Sequence, residues 1–197
     1  VVYDGTQPNP TIENIEEAKD MYLKNGCQGI IAFGGGSPMD CAKIAAARVV
    51  KPNQPVEKMR GLMKILRPLP PFFAVPTTAG TAAEVTINYV ITDEATKHKM
   101  VCVDPHDIPV VAVIDSELMS SMPKGLTAAT GMDALTHAIE GFITKGAWEM
   151  SDMFHIKAIE IIAKSLRGAV ENTDEGREGM ALGQYVAGMG FSNVGLG

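Results

Sequence analysis

The 197-residue chain is 46% hydrophobic and 20% charged, a balance that describes a globular protein with a core and excludes a disordered or fibrous one. Its formal net charge of −6 leaves no basic stripe for a phosphate backbone or an anionic membrane, so the expected partners are small molecules, with no nucleic acid and no membrane. The three cysteines, Cys27, Cys41 and Cys102, are odd in number and far apart, which reads as buried free thiols in a reducing cytoplasm rather than as disulfides.

In residues 11–25 the apolar positions Ile12, Ile15, Ala18, Tyr22 and Leu23 follow a helical period, with Thr11 as N-cap and Gly26 just past the end. Residues 28–33 form a short apolar run typical of a buried strand, and a second helix is expected from Ser37-Pro38. Residues 51–71, rich in Pro and Lys, read as a surface loop with at most a short helix. Residues 72–75 are another buried strand, and 85–92 and 99–103 are β-rich stretches flanking a polar connection, 93–98, suited to a hairpin. Residues 110–114 are the last buried strand. Strand and helix alternate up to this point, which predicts a parallel sheet covered by helices. After Met122-Pro123, residues 124–143, 151–170 and 175 to about 191 are long helical patterns with no strand between them. The expected division is therefore an α/β domain over 1–122 and an all-helical domain over 123–197. No apolar run approaches the roughly 20 residues of a bilayer span, and no leader pattern opens the chain. The chain begins without Met and ends at Val194-Gly195-Leu196-Gly197 with no closing polar segment, so both ends read as cut.

Gly34-Gly35-Gly36-Ser37 follows an expected strand and opens an expected helix, the setting in which free backbone N–H groups and the helix dipole receive a phosphate. It is neither G-x-G-x-x-G nor a P-loop, and by itself names no particular nucleotide. A stability reading competes: Ser37, Pro38 and Asp40 resemble an acidic capping box. Pro76-Thr77-Thr78-Ala79-Gly80-Thr81 is a second turn directly after a strand. Two polar turns at strand ends favour a dinucleotide, against the alternative of an ordinary Ser/Thr turn. Asn88 and Lys99 stand on the two arms of the hairpin, where an amide and a cation could meet a ribose or a substrate hydroxyl; an ordinary surface lysine is the rival explanation.

Asp133 and His137 are four apart within an apolar helical stretch, so one helix face stacks a carboxylate above an imidazole, and one divalent ion can bridge them. Two ligands are too few to hold an ion firmly. Glu94/His98 and Asp152/His155 have similar spacings and read as surface pairs or capping neighbours. What sets Asp133/His137 apart is its Ala, Leu and Ile surroundings, where an unpaired carboxylate is costly.

The segment Ala129-Thr130-Gly131-Met132-Asp133-Ala134-Leu135-Thr136-His137-Ala138-Ile139-Glu140 closely resembles the metal-ligand signature of the iron-containing (group III) alcohol dehydrogenases. Gly34 to Asp40 and Pro76 to Glu84 resemble that family's two nucleotide turns, in the same order. The likeness runs over nearly the whole chain and weakens in residues 51–71.

The resemblance implies a dehydroquinate synthase-like, iron-alcohol-dehydrogenase architecture: a partial α/β nucleotide-binding domain with a parallel sheet and β-hairpin, then a partial helical metal-binding domain. It implies metal-dependent, NAD-linked interconversion of a small aldehyde and a primary alcohol by a cytoplasmic homodimer. Fe2+ would be the metal, with Zn2+ or another divalent ion as alternatives. Asp133 and His137 would be two of four metal ligands. Gly35, Gly36, Ser37 and Asp40 would hold the pyrophosphate and nearby ribose, and Thr77, Thr78 and Thr81 would line the adenosine side. Asn9, Lys99 and Leu118 would be further cofactor contacts. Asn88, beside nicotinamide and substrate, would be the catalytic contact. The other two ligands, both histidines, would lie downstream of Gly197, and the acidic residue selecting NAD over NADP upstream of Val1. Two rivals stand beside this reading. One is a glycerol-dehydrogenase- or dehydroquinate-synthase-like relative, disfavoured by Asp133 with His four residues on. The other is a catalytically silent nucleotide-binding piece.

Overall fold

Thr11 starts the first helix, α1 (Ile12–Lys24), through a reciprocal cap: its hydroxyl accepts from the Asn14 amide, and the Asn14 side chain accepts from the Thr11 amide. In this computed structural model residues 1–94 and 96–196 are described. Ala95, in the expected hairpin connection, and Gly197, the last residue of the expected helical domain, lie outside the described residues. The chain continues through β1 (Ile30–Gly34), α2 (Gly36–Val50), β2 (Gly61–Leu62), β3 (Phe72–Pro76), β4 (Asn88–Asp93), β5 (His98–Val103) and β6 (Val111–Ala112). The helices α3 (Lys124–Ile143), α4 (Glu149–Val170) and α5 (Asp174–Val194) follow. Two compact units result: Val1–Val75 with Ile87–Val113, and Pro76–Thr86 with Ile114 onward.

In the first unit β1, β3 and β6 form one sheet in that order, with β3 and β6 parallel through Phe73↔Val111 and Ala74↔Ala112. A second sheet has the order β2-β5-β4, in which β4 and β5 are the antiparallel hairpin and β2 runs parallel to β5. The core gathers Ile15 from α1, Cys41, Ile44 and Ala47 from α2, and Tyr89, Ile91, Met100 and Cys102 from the hairpin. Cys41 and Cys102 are buried and Cys27 half-buried, all as free thiols.

Three expectations change. Residues 51–71 are more than a surface loop, because Val56, Met59 and Ile65 are fully buried in that core and Gly61–Leu62 pairs with β5. The strands read as buried are covered on one face only. Ala32, Phe72 and Ala74 are enclosed, whereas Ile31, Phe33, Phe73, Val111 and Val113 are 38–71% exposed, since alternate residues of a strand point to opposite faces. The second helix begins at Gly36, one residue before Ser37, which puts Pro38 in its third position.

The helical unit is built on small residues. Ala134 and Ala138 of α3, Ala158 and Ile162 of α4, and Met180, Ala181 and Ala187 of α5 are its centre. A Cβ at Gly183 would lie 2.7 Å from Ile162 Cγ1, so glycine there lets α5 close on α4. Thr173 caps α5 by accepting from the Gly176 amide at 3.1 Å. Among the described residues no helix is long and apolar enough to cross a membrane.

The one-sided sheet makes a direct contrast. Ile44→Ala, at a fully buried site, is expected to destabilise the protein by about 2–5 kcal/mol. Ile31→Ala, on the open face, should stay within about 0.5 kcal/mol. Urea denaturation followed by circular dichroism compares the two, and equal losses would show that the open face is covered in solution.

Candidate cofactor and metal site

Gly34 ends β1 at φ +143°, and a Cβ there would come within 2.8 Å of Pro38 Cγ, so both backbone and space require glycine. Gly35 is the N-cap of α2, and no side chain caps it. The capping-box reading of Ser37 and Asp40 is therefore not realised. Ser37 Oγ instead accepts from the Asn9 amide at 3.2 Å, and Asn9 itself takes the left-handed conformation, φ 57°. The Gly36 and Ser37 amides belong to a first helical turn whose N–H groups have no intrahelical acceptor, the arrangement that receives an anionic ligand.

Asp40 turns the other way: its Oδ2 accepts from the Val90 amide at 3.1 Å. Lys43, one turn later and fully buried, donates to the Asn88 carbonyl at 2.9 Å. Asp107 is also fully buried, and neither of its carboxyl oxygens has a hydrogen-bond partner. Burial pushes Asp40 up to about 7, opposed by the Lys43 cation and the Val90 amide. Burial likewise lifts Asp107 to about 8; Asp104 and Asp40 add to the rise and Lys43 opposes it. Asp104 goes the opposite way despite its burial, because His106 and the backbone amides of Ile65, His106 and Leu66 donate to it. Asn88 is half-buried at the start of β4, and Lys99 is exposed on β5 opposite Thr92.

The threonine turn belongs to the helical unit. Gly80 lies against α3, where a Cβ would meet Thr130 Cβ at 2.8 Å, and Gly188 of α5 makes room for Ala82 and Val85. The buried Gln184 amide of α5 donates to the buried Glu84 carboxylate. These contacts leave Thr77 and Thr78 half-buried and Thr81 exposed, with its hydroxyl accepting from the Ala83 amide at 3.4 Å. Leu118, half-buried, sits in the short 3-10 turn Ser116–Met119 of the same unit.

On α3, His137 Nε2 and Asp133 Oδ1 are 3.7 Å apart, with side chains 19% and 45% exposed. That separation suits one divalent ion touching both at about 2.0–2.2 Å. The imidazole packs on Phe191, ring centroids 5.0 Å apart, and its Nδ1 is buried without a hydrogen-bond partner. An oxygen and a nitrogen donor on one helix face fit a borderline metal ion. Among the described residues no third His, Cys, Asp or Glu joins them. The other two pairs separate. Glu94 and His98 are exposed, as expected. His155, read from sequence as a surface or capping residue, is fully buried, fitted against Gly141 of α3 and Gly190 of α5, with neither ring nitrogen hydrogen-bonded. Burial lowers its pKa, with Asp152 opposing.

The chain belongs to the iron-containing alcohol dehydrogenase family: residues 1–116 match that family, and residues 127–197 match the C-terminal part described for the Fe-containing alcohol dehydrogenases. It is 58% identical to the lactaldehyde reductase of Escherichia coli K12, over all of this chain and 52% of that protein. It is 40% identical to alcohol dehydrogenase 4 of Schizosaccharomyces pombe, over all of this chain and 47% of that protein. Among solved structures it superposes on a 1,3-propanediol oxidoreductase with a TM-score of 0.96 at 41% identity, covering all of this chain and 52% of that one. A sulfoacetaldehyde reductase from Bifidobacterium kashiwanohense, solved with NAD+, gives 0.90 at 35% identity, over all of this chain and 53% of that one. The chain thus spans about half the length of the curated relatives it matches.

Lys43, Asp107, Gln184 and His155 were not singled out as site residues from sequence. Lys43 had a signal, being a cation three residues after Asp40 in a helix whose neighbouring positions Cys41, Ala42, Ile44, Ala45 and Ala46 are apolar. Asp107 had none, since only folding buries it. Its folded pKa, about 8, lies above the unfolded value of about 3.9. Its contribution to stability is therefore complete at acid pH and is lost as pH rises from about 4 through 8. Asp107→Asn copies the protonated acid, so its Tm should gain on the wild type by roughly 4–8 °C between pH 5 and 8.5. A Tm difference that stays constant over that range would show Asp107 to be ionised throughout.

Proposed function

We propose that the protein containing this chain is a metal-dependent, NAD-linked oxidoreductase that interconverts a small aldehyde and a primary alcohol, with lactaldehyde and 1,2-propanediol as the pair. The observation that carries the reading is the Asp133/His137 pair, 3.7 Å apart on α3, in a chain whose two parts both match the iron-containing family. The substrate pair is supported by 58% identity to a lactaldehyde reductase, while relatives acting on methanol or 1,3-propanediol are 42–44% identical. NAD is supported by the uncapped turn at Gly35, Gly36 and Ser37 and by the NAD+ complex of a structural neighbour.

In this reading Asp133 and His137 hold Fe2+, or another divalent ion, and a bound ion supplies Lewis acidity toward the alcohol or aldehyde oxygen. The Gly36 and Ser37 amides receive the pyrophosphate, with Asn9 fixing the Ser37 hydroxyl through its own backbone. Thr77, Thr78, Thr81 and Leu118 line the adenosine side, and Lys99 meets a cofactor oxygen. Asn88 orients the nicotinamide against the substrate carbon, where hydride moves. The protein is a cytoplasmic homodimer, and its net charge of −6 accords with a partner list free of nucleic acid and anionic membrane.

A narrower reading applies to the chain alone. Asp133 and His137 are two ligands, too few to hold an ion firmly, and by itself the chain is a nucleotide-binding body without turnover.

In the protein at its relatives' length, Asp133→Ala and His137→Ala are each expected to deplete bound iron and lower lactaldehyde reduction roughly 1000-fold. NADH affinity should stay within about twofold. Metal analysis, steady-state rates and NADH titration read the three quantities, and full activity in metal-free Asp133→Ala would sink the assignment. The 197-residue chain should bind NADH and leave lactaldehyde unreduced.

A further inference from the structure

We propose that Lys43 and Asp40 are positioning residues of the cofactor site, a two-pronged clamp from α2 onto the free edge of β4 that sets Asn88 relative to the Gly35–Ser37 turn. The inference rests on the nucleotide reading above, which places the pyrophosphate at that turn and the nicotinamide at Asn88.

The argument starts from the edge strand. In the sheet order β2-β5-β4, β4 has a neighbour on one side only. The Asp104 amide donates to the Ile87 carbonyl at 2.9 Å across the hairpin, so the two-residue repeat sends the backbone groups of Asn88, Val90 and Thr92 to the other edge. Apart from an isolated parallel bridge between Thr11 and Thr92, no strand meets that edge among the described residues. Lys43 Nζ donates to the Asn88 carbonyl at 2.9 Å. The Val90 amide donates to Asp40 at 3.1 Å, and the Thr92 amide donates to the Pro10 carbonyl at 2.9 Å. The geometries match. Residues three apart on a helix sit about 5–6 Å from each other, and residues two apart on a strand about 6.8 Å. Asp40 and Lys43 therefore reach Val90 and Asn88 together, and only if helix and strand keep one register.

The same helix carries the glycine turn at its start, Asp40 and Lys43 lying in its second and third turns. A rigid helix so clamped converts the position of the turn into the position of Asn88. Lys43 is fully buried and does not present its ammonium to a ligand in solvent. It differs in this from Lys99, which is exposed. Asp40 likewise commits one carboxyl oxygen to the strand.

The test compares two ligands that share adenosine and pyrophosphate but differ in nicotinamide. Isothermal titration of the chain with NADH and with ADP-ribose is run on the wild type, Lys43→Met, Lys43→Gln, Asn88→Ala and the Lys43→Met/Asn88→Ala double variant. Lys43→Met is expected to weaken NADH about tenfold and to leave ADP-ribose within twofold. The double variant should be no weaker than Asn88→Ala alone, because both changes remove one interaction. Lys43→Gln keeps an N–H donor for the Asn88 carbonyl and should recover NADH affinity to within threefold of the wild type. If Lys43→Met does not fold, Lys43→Gln and Asn88→Ala carry the comparison. Equal losses for the two ligands would make Lys43 a long-range cation for the pyrophosphate and overturn the proposal. So would additive losses in the double variant, or a tenfold NADH loss in Lys43→Gln. A wild-type chain that binds neither ligand would instead refute the nucleotide reading itself.

Discussion

An edge strand cannot leave buried amides and carbonyls unpaired, and in the α/β unit that constraint falls on β4. A desolvated backbone group without a partner is penalised by about 1–3 kcal/mol, and β4 has one edge without a strand. Side chains of α2 and the Pro10 carbonyl take the place of the missing strand. This solution draws charge inward, because the Lys43 ammonium is fully buried, Asp40 is half-buried and the Asp107 carboxyl is fully buried within electrostatic reach of both. Burial raises the pKa of both Asp40 and Asp107, and the single Lys43 cation opposes the rise at each.

The helical unit meets a different constraint, close approach. Glycine and alanine at the crossings of α3, α4 and α5 allow the helices to pack tightly around few large side chains. Gly80 and Gly188 let the threonine turn seat on the same helices that carry Asp133 and His137. The threonine turn and the Asp133/His137 pair are consequently referenced to one packed body. Phe191 against the His137 ring restricts the imidazole further.

Much was legible along the chain, because local rules are strong there. Thr11 caps α1 as its hydroxyl predicts, and the reciprocal bond from Asn14 is seen only in the structure. The three C-terminal helices follow uninterrupted apolar periods, and the Asp133/His137 spacing needs only the geometry of one helix. The Gly34 to Ser37 and Pro76 to Thr81 turns were visible because glycine and hydroxyl residues collect where a strand hands over to another element. The apolar content of residues 51–71 was misjudged, since prolines and lysines there mask Val56, Met59 and Ile65, whose burial depends on packing against α1, α2 and the hairpin.

By itself, then, the sequence determined element types, the two turns, and a carboxylate and an imidazole on one helix face, all set by neighbours within a few residues. Only the tertiary structure decided what those groups face. It bonded Asp40 to the Val90 amide, buried Lys43, Asp107 and His155, and assigned the threonine turn to the helical unit. The reason is physical: hydrogen-bond partners and desolvation are properties of surroundings brought together from distant parts of the chain, and local periodicity carries no record of them.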